Sequence, residues 1–197
     1  MRSLLVAWFV ILATAAGAQP VEWTIDPGHS LAQFSVRHML VSNVRGQFDG
    51  PTGTVRFDPA DPASLRVDAT IATRSINTHN ADRDRDLRGP EFFDVERYPA
   101  IRFTSRRAEA AGPGRLRVIG DLTMRGITRE VTLDVEGPSE EVLDVWGQKR
   151  IGATATTTLD RRHFGIMYSR LLEGGGAVIG DQVSITIDLE LTRSAKE

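Results

Sequence analysis

Few residues in this sequence have the types and spacing needed for chemistry. The four histidines are His29, His38, His79 and His163. None stands in an H-x-H or H-E-x-x-H spacing, so no local metal site is spelled out and no metal is expected. There is no cysteine, which removes thiol catalysis and zinc–thiolate coordination. No G-x-S-x-G elbow is present, and Gly174-Gly175-Gly176 lacks the G-K-[ST] ending of a phosphate cradle. What remains is recognition. Arg83 can grip a phosphate or another polar head in bidentate fashion, or form a structural ion pair with a neighbouring acid. Asp84, His29 and His38 are the other polar candidates. His38 shares the strand parity of Phe34 and Val36, where a lone histidine is either a satisfied structural group or a ligand contact.

Arg83 and Asp84 belong to Thr78–Asp94, T-H-N-A-D-R-D-R-D-L-R-G-P-E-F-F-D, the one stretch without strand-like alternation. Thr78 is placed to cap a short helix, and Gly89-Pro90 to stop it through a left-handed glycine. Asp84 and Arg88 are spaced to pair on one helix face. The helix is too short and polar to stand alone, so Leu87, Phe92 and Phe93 are its expected anchors. Such a segment is either the lid of a cavity or a solvated crossover between strands.

The surrounding elements read as strands. Val21–Asp26, Leu31–Met39, Val44–Asp58, Leu65–Thr73, Ala100–Ala110, Leu116–Met124, Ile127–Val135, Gln148–Leu159 and Val183–Leu191 alternate apolar and polar residues, separated by turn signals. Arg125-Gly126 reads as a two-residue hairpin loop, and the glycines within Val44–Asp58 as bends where a sheet must curve. Trp23 and Trp146 are read as packing groups near turns. The pattern implies roughly eight long antiparallel strands, one charged helix and no βαβ rhythm. Such strands form a sandwich or a barrel, and a barrel of eight either fills with side chains or holds one small ligand. At roughly 10–14 residues per strand and a tilt of ~40°, it would stand roughly 25–35 Å tall. That height suits an elongated apolar ligand.

The ends and the charge bound the setting. Met1–Ala18 has a basic Arg2, an apolar run from Leu4 to Ala16 and the small-x-small site Ala16-Gly17-Ala18. It reads as a signal peptide, with one domain following over residues 19–197. The formal net charge is −2, and basic residues alternate with acids, so no nucleic-acid stripe is expected.

An ordered set of motifs then carries a resemblance. It begins with Trp23-Thr24-Ile25-Asp26-Pro27-Gly28-His29-Ser30, Phe34-Ser35-Val36-Arg37-His38 and Gly46-Gln47-Phe48-Asp49-Gly50. It continues with Arg83-Asp84, Leu87, Phe92-Phe93-Asp94, Tyr98-Pro99-Ala100-Ile101-Arg102-Phe103 and Gly120-Asp121-Leu122-Thr123. It closes with Gly126-Ile127-Thr128 and Arg161-Arg162-His163-Phe164-Gly165-Ile166. In order and spacing this resembles the YceI-like family, over nearly all of the chain after the leader. The resemblance implies an extended eight-stranded antiparallel, lipocalin-like barrel with a helix beside it. It also implies an apolar pore for a polyisoprenoid chain such as an isoprenoid quinone or a polyprenyl phosphate, export to the periplasm, and a homodimer. Two positions depart from the family pattern. Asp86 stands where a histidine is common, and His163 where an aspartate is common, which bears on the preferred head group.

These readings converge on a non-catalytic, periplasmic lipid-binding barrel with no cofactor other than its bound lipid, in transient contact with a membrane. Phe34, Val36, Phe48, Ile71, Phe103, Leu122 and Phe164 are the expected pore lining, with ordinary core as the competing reading. His29, His38, Arg83 and Asp84 are expected at the polar end. The alternatives are an enzyme acting on an isoprenoid or small apolar substrate, and a ligand-free structural or stress-response module with a solid core.

Overall fold

Alternation of apolar and polar residues produces strands along most of the chain. The structure, a computed structural model, describes residues 19–173 and 175–194. The expected leader, Gly174 and the last three residues lie outside the described residues. β1 (Val21–Ile25) and β2 (Leu31–His38) are two halves of one bent ribbon. β3 (Ser42–Asp49) and β4 (Thr52–Asp58) are two halves of the next. The long strand expected over Val44–Asp58 is therefore interrupted. Pro51 lacks a ladder N–H, and Gly50 presses on the β1–β2 turn, where a Cβ would lie 2.4 Å from the carbonyl oxygens of Pro27 and Ser30.

The remaining strands are β5 (Asp61–Ala72), β6 (Ala100–Ala110), β7 (Arg115–Met124), β8 (Ile127–Glu136), the two-residue β9 (Val142–Leu143), β10 (Gln148–Asp160) and β11 (Ile179–Ser194). Hydrogen bonding runs β11-β1-β4-β5-β6-β7-β8-β10 and returns to β11, which closes an antiparallel barrel of eight strands. β11 spans the full height against β10, from Gln148↔Ser194 to Asp160↔Gln182. Its other edge is shared, by β1 at Leu191 and Thr192 and by β2 from Asp188 to Ile179. The expected β7–β8 hairpin is present. Met124 pairs with Ile127, and Arg125 and Gly126 have φ of 52° and 71°, the positive values a type I′ turn requires.

The two ends of the barrel differ. At one end Trp23, Phe57, Leu65, Val118, Ile151 and Leu191 are buried and fill the interior. The Arg193 guanidinium lies 4.9 Å from the Trp23 ring centroid, a cation–π contact. Trp23 packs as expected. Trp146 does not: it is 80% exposed in the β9–β10 turn, because a two-residue strand offers no face to cover it.

At the other end, residues 73–99 fold over the barrel as a 3₁₀ turn (Thr73–Ser75), helix α1 (Ala81–Arg88) and an irregular return. The helix is not capped by Thr78 as expected. The N-cap is Asn80, whose Oδ1 accepts from the Arg83 N–H at 2.9 Å. Gly89 leaves the helix in extended backbone, φ −74° and ψ 175°, not left-handed. Asp84 and Arg88 do not pair, since each has a nearer backbone partner. Arg88 donates to the carbonyls of Arg74 (3.0 Å) and Ile76 (2.6 Å). β8 and β10 are paired only away from this cap, from Glu136↔Thr154 to Asp134↔Thr156. Beyond that pair a 3₁₀ turn, Arg161–Phe164, follows β10, with Phe164 and Ile166 buried.

Candidate ligand-binding cavity

The half of the barrel under α1 is hollow. A cavity of about 210 Å³ lies there, walled by inward side chains of β2, β5–β8, β10 and β11 and roofed by Leu87, Phe92 and Phe93. Strand parity builds it, because every second residue of a strand faces inward. On β5 these are Val67, Ala69 and Ile71; on β11 they are Val183, Ile185, Ile187 and Leu189.

All seven residues expected as lining border this one cavity. Phe34 and Val36 come from β2 and Phe48 from β3. Ile71, Phe103 and Leu122 come from three successive strands, and Phe164 from the 3₁₀ turn after β10. The roof is tied to the wall by aromatic contacts. Phe93 meets Phe48 edge-on at 5.4 Å between centroids, and Phe48 lies 5.9 Å from Phe34. Arg125 holds the roof from the β7–β8 turn, donating to the carbonyl of Pro90 at 2.9 Å and to that of Phe92. Leu87, Phe92 and Phe93 thus anchor the segment as expected, and they do so over a cavity.

The polar candidates lie elsewhere. His29 sits outside the wall, at the bend between β1 and β2, with Nδ1 2.9 Å from Asp26 Oδ2. Asp26, His29 and Glu190 lie close enough to share an ion, but Arg150 is seated among the acids. It bonds to Asp26 (3.0 Å), Asp144 (2.6 Å) and Glu190. The hydrogen bond to His29, aided by Arg150, holds the Asp26 carboxyl below its ordinary pKa. His38 keeps the parity of Phe34 and Val36 but is the last residue of β2, past the cavity wall.

Arg83 and Asp84 both bond to Thr78, within the cap. Asp84 is buried, and its Oδ1 accepts from the Thr78 N–H (2.8 Å) and hydroxyl (2.5 Å). Arg83 donates to Thr78 Oγ1 (2.8 Å) and to the Thr78 carbonyl (2.9 Å). Together they pin the loop before α1. Asp84→Ala leaves two buried donors without an acceptor and is expected to cost about 2–3 kcal/mol. Its thermal midpoint should fall by roughly 5–10 °C in a calorimetric melt, and an unchanged midpoint would show that Asp84 does not pin the loop. Of the two departures from the family pattern, Asp86 is exposed on the outer face of α1 and His163 is exposed beside Phe164. Neither borders the cavity.

One charged residue does border it. Arg161 is 6% exposed. It continues the inward parity of Thr157 and Leu159 by one step past β10, a signal the sequence carries in that alternation. Its guanidinium donates to the carbonyls of Gly180 (2.9 Å), Ile166 (2.7 Å), Tyr168 (2.8 Å) and Ile179 (3.3 Å), and to Asp181 Oδ1 (3.1 Å). Burial pushes its pKa down and Asp181 opposes that shift. All five N–H donors of a guanidinium are thereby engaged, so Arg161 has no donor left for a ligand. It closes the loop that follows the 3₁₀ turn.

That turn is capped by Asp160, which accepts from the Arg162 N–H at 2.9 Å and pairs with the Arg162 guanidinium at 2.7 Å. The Arg162 hydrogen bond lowers the Asp160 pKa from 3.8 to about 2. A depressed carboxyl stabilises the fold above its unfolded pKa, and that contribution is lost as pH falls through the folded value. Melting temperature should therefore decline between about pH 4 and pH 2, and Asp160→Asn should flatten that part of the curve. An identical acid limb in the variant would exclude Asp160 as a contributor.

This geometry can be set beside known proteins. The family model for the YceI-like domain matches residues 23–191, from β1 to β11. The chain belongs to the YceI-like family. A Staphylococcus aureus (strain MSSA476) relative, UPF0312 protein SAS2572, is 36% identical over 174 residues, covering 87% of this chain and 98% of that protein. The Campylobacter jejuni YCEI protein has a crystal structure similar to this one. The TM-score is 0.67 at 27% identity, over 80% of this chain and 90% of that one. A polyisoprenoid binding domain from Saccharophagus degradans shares the fold, with a TM-score of 0.61 at 15% identity over 86% and 97% of the two chains. The matched YceI-like region contains every lining residue named above.

Proposed function

We propose that this chain binds the chain of an isoprenoid lipid, an isoprenoid quinone or a polyprenyl phosphate, in the hollow half of its barrel. The binding would serve to carry or store the lipid in the periplasm. The observation that carries this reading is the cavity wall. Among the described residues it is apolar throughout, apart from Gln33, Thr157 and the fully engaged Arg161. An apolar wall gains about 25 cal/mol for each Å² of tail surface removed from water, so a prenyl chain needs few polar contacts. The name of the Saccharophagus degradans neighbour, a polyisoprenoid binding domain, supports the same ligand class. The packed end leaves the tail to enter from the α1 end, with the polar head outside. A volume of about 210 Å³ is small beside the roughly 300–1,000 Å³ of ordinary ligand pockets. The reading therefore includes displacement of the Leu87–Phe93 roof when a long chain binds. Binding is favoured over turnover because acid–base catalysis needs titratable groups converging on the substrate, and this wall presents only a clamped arginine.

The proposal extends to the sequence expectations for setting: cleavage after Ala18, export, homodimerisation and transient membrane contact. Gentle native mass spectrometry of the exported protein, followed by organic extraction, tests the core of it. A stoichiometric added mass that extracts as a quinone or prenyl compound is the expected result. A ligand-free mass that persists after incubation with both lipid classes would overturn the reading.

A further inference from the structure

Outside the cavity, large apolar side chains are exposed in two groups among the described residues. Val142, Leu143, Val145 and Trp146 lie around β9, at the packed end. Met39, Leu40 and Val41 form the β2–β3 turn at the hollow end, and Met167 and Leu171 lie on the loop between the 3₁₀ turn and β11. Val41 is 77% exposed and Leu171 is 85% exposed. The two segments of this second group touch. The Met39 N–H donates to the Val178 carbonyl at 2.8 Å, and a Cβ on Gly176 would lie 2.8 Å from Leu40 Cδ1.

Ordinary turn chemistry does not explain this edge. Tight turns favour glycine, asparagine or aspartate at positive φ, yet here Met39 and Leu40 take φ of 49° and 62°. The turn is held in that shape by Arg37, which donates to the Leu40 carbonyl at 2.7 Å. Its apolar side chains are thus presented to solvent by a fixed backbone. The same strands continue into the cavity wall at Val36 and Ile179, so the edge adjoins the end from which a tail would enter. Its charge is one-sided. Val36–Arg45 contains Arg37, His38 and Arg45 and no acid, and the neighbouring loop adds Arg170 against Glu173.

We propose that this edge docks the barrel on an anionic lipid bilayer. Leu40, Val41 and Leu171 enter the boundary between head groups and acyl chains, while Arg37, Arg45 and Arg170 face lipid phosphates. Apolar side chains flanked by basic ones are the pattern of an interfacial membrane contact. A second copy of the chain fits the edge less well, because a stable interface takes roughly 20–30 residues a side and this group is confined to two turn tips. The proposal rests on the carrier reading, since docking here sets the cavity end against the source of an isoprenoid lipid.

The test uses the chain from Gln19 onward, which holds the whole barrel, and vesicles of mixed phosphatidylglycerol and phosphatidylcholine. Co-sedimentation compares the unaltered protein with a Leu40→Glu/Val41→Glu/Leu171→Glu variant and with a Val145→Ser/Trp146→Ser control from the other group. Uptake of a quinone and of a prenyl phosphate without vesicles, and sedimentation-velocity mass, are measured in parallel. Partitioning is expected to fall at least tenfold in the triple variant. It should also weaken severalfold from about 0.05 M to about 0.5 M salt, as screening removes the arginine contribution. The control should partition like the unaltered protein, and quinone uptake should be equal in all three. Failure of the unaltered protein to bind vesicles, or undiminished binding by the triple variant, would overturn the proposal. A dimer that the triple variant converts to monomer would also overturn it, by assigning the edge to a second copy. The vesicle pattern without uptake of either a quinone or a prenyl phosphate would support docking while removing the carrier reading.

Discussion

Ala69→Phe is expected to lower quinone or prenyl-phosphate uptake at least tenfold while leaving the barrel folded. Ala69 faces the cavity from β5. Its cross-strand partners are Gly53 on β4 and Phe103 on β6, so one flank has no side chain to displace. A benzene-sized group fits an apolar cavity of about 150 Å³, and about 210 Å³ is present. The new ring should occupy space instead of forcing neighbours off their rotamers, which keeps the usual overpacking penalty of about 1–3 kcal/mol at its low end. The same ring removes the volume a prenyl tail needs, and a tenfold loss of affinity is about 1.4 kcal/mol. Titration followed by native mass spectrometry reads the uptake, and circular dichroism reads the fold. Full uptake in a folded variant would move the ligand out of this cavity.

Arg161→Ala is expected to have the largest effect on stability, a loss of about 3–5 kcal/mol from the carbonyls it leaves unsatisfied. The substitution removes the donors from four carbonyls along Ile166–Gly180, and among the described residues leaves Asp181 with Arg162 alone, at 3.1 Å. Arg161→Lys should recover less than half of the loss. An ammonium carries three donors on a flexible stem and does not reproduce the planar fork. Urea denaturation gives the free energies, and amide exchange should show the Ile166–Val178 loop losing protection first. Equal stability of the alanine variant would show that the loop is held by its apolar contacts alone.

The strands and their inward faces were legible in the sequence because one face of each strand meets an apolar interior and the other meets water. That is why Phe34, Phe103 and Leu122, read from alternation and motif alone, border the same cavity. Polar partners were not legible in this way. Asp84 has Arg88 four residues on, but its buried carboxyl is met instead by the Thr78 N–H and hydroxyl, supplied by a loop that folds back before α1. His29 stands in the Asp26-Pro27-Gly28-His29 motif, yet the bend at Pro27-Gly28 turns it outward to Asp26. Such choices depend on which distant segment arrives, and spacing along the chain does not encode that. Arg161 lies between these cases. Parity placed it inward, but its engagement with backbone carbonyls depends on a loop that returns from outside the main strands.

The division of the barrel into a packed half and a hollow half separates two kinds of inheritance. Substitutions among Trp23, Phe57, Ile151 and Leu191 disturb the side chains that hold the sheet closed, so that end is constrained by folding whatever the ligand. Substitutions among Ala69, Leu122 or Ile185 change the bore and length of a void, and the sheet survives many of them. A lineage with this barrel can therefore drift from one lipid tail to another by single steps on the hollow side, each passing through a protein that still folds.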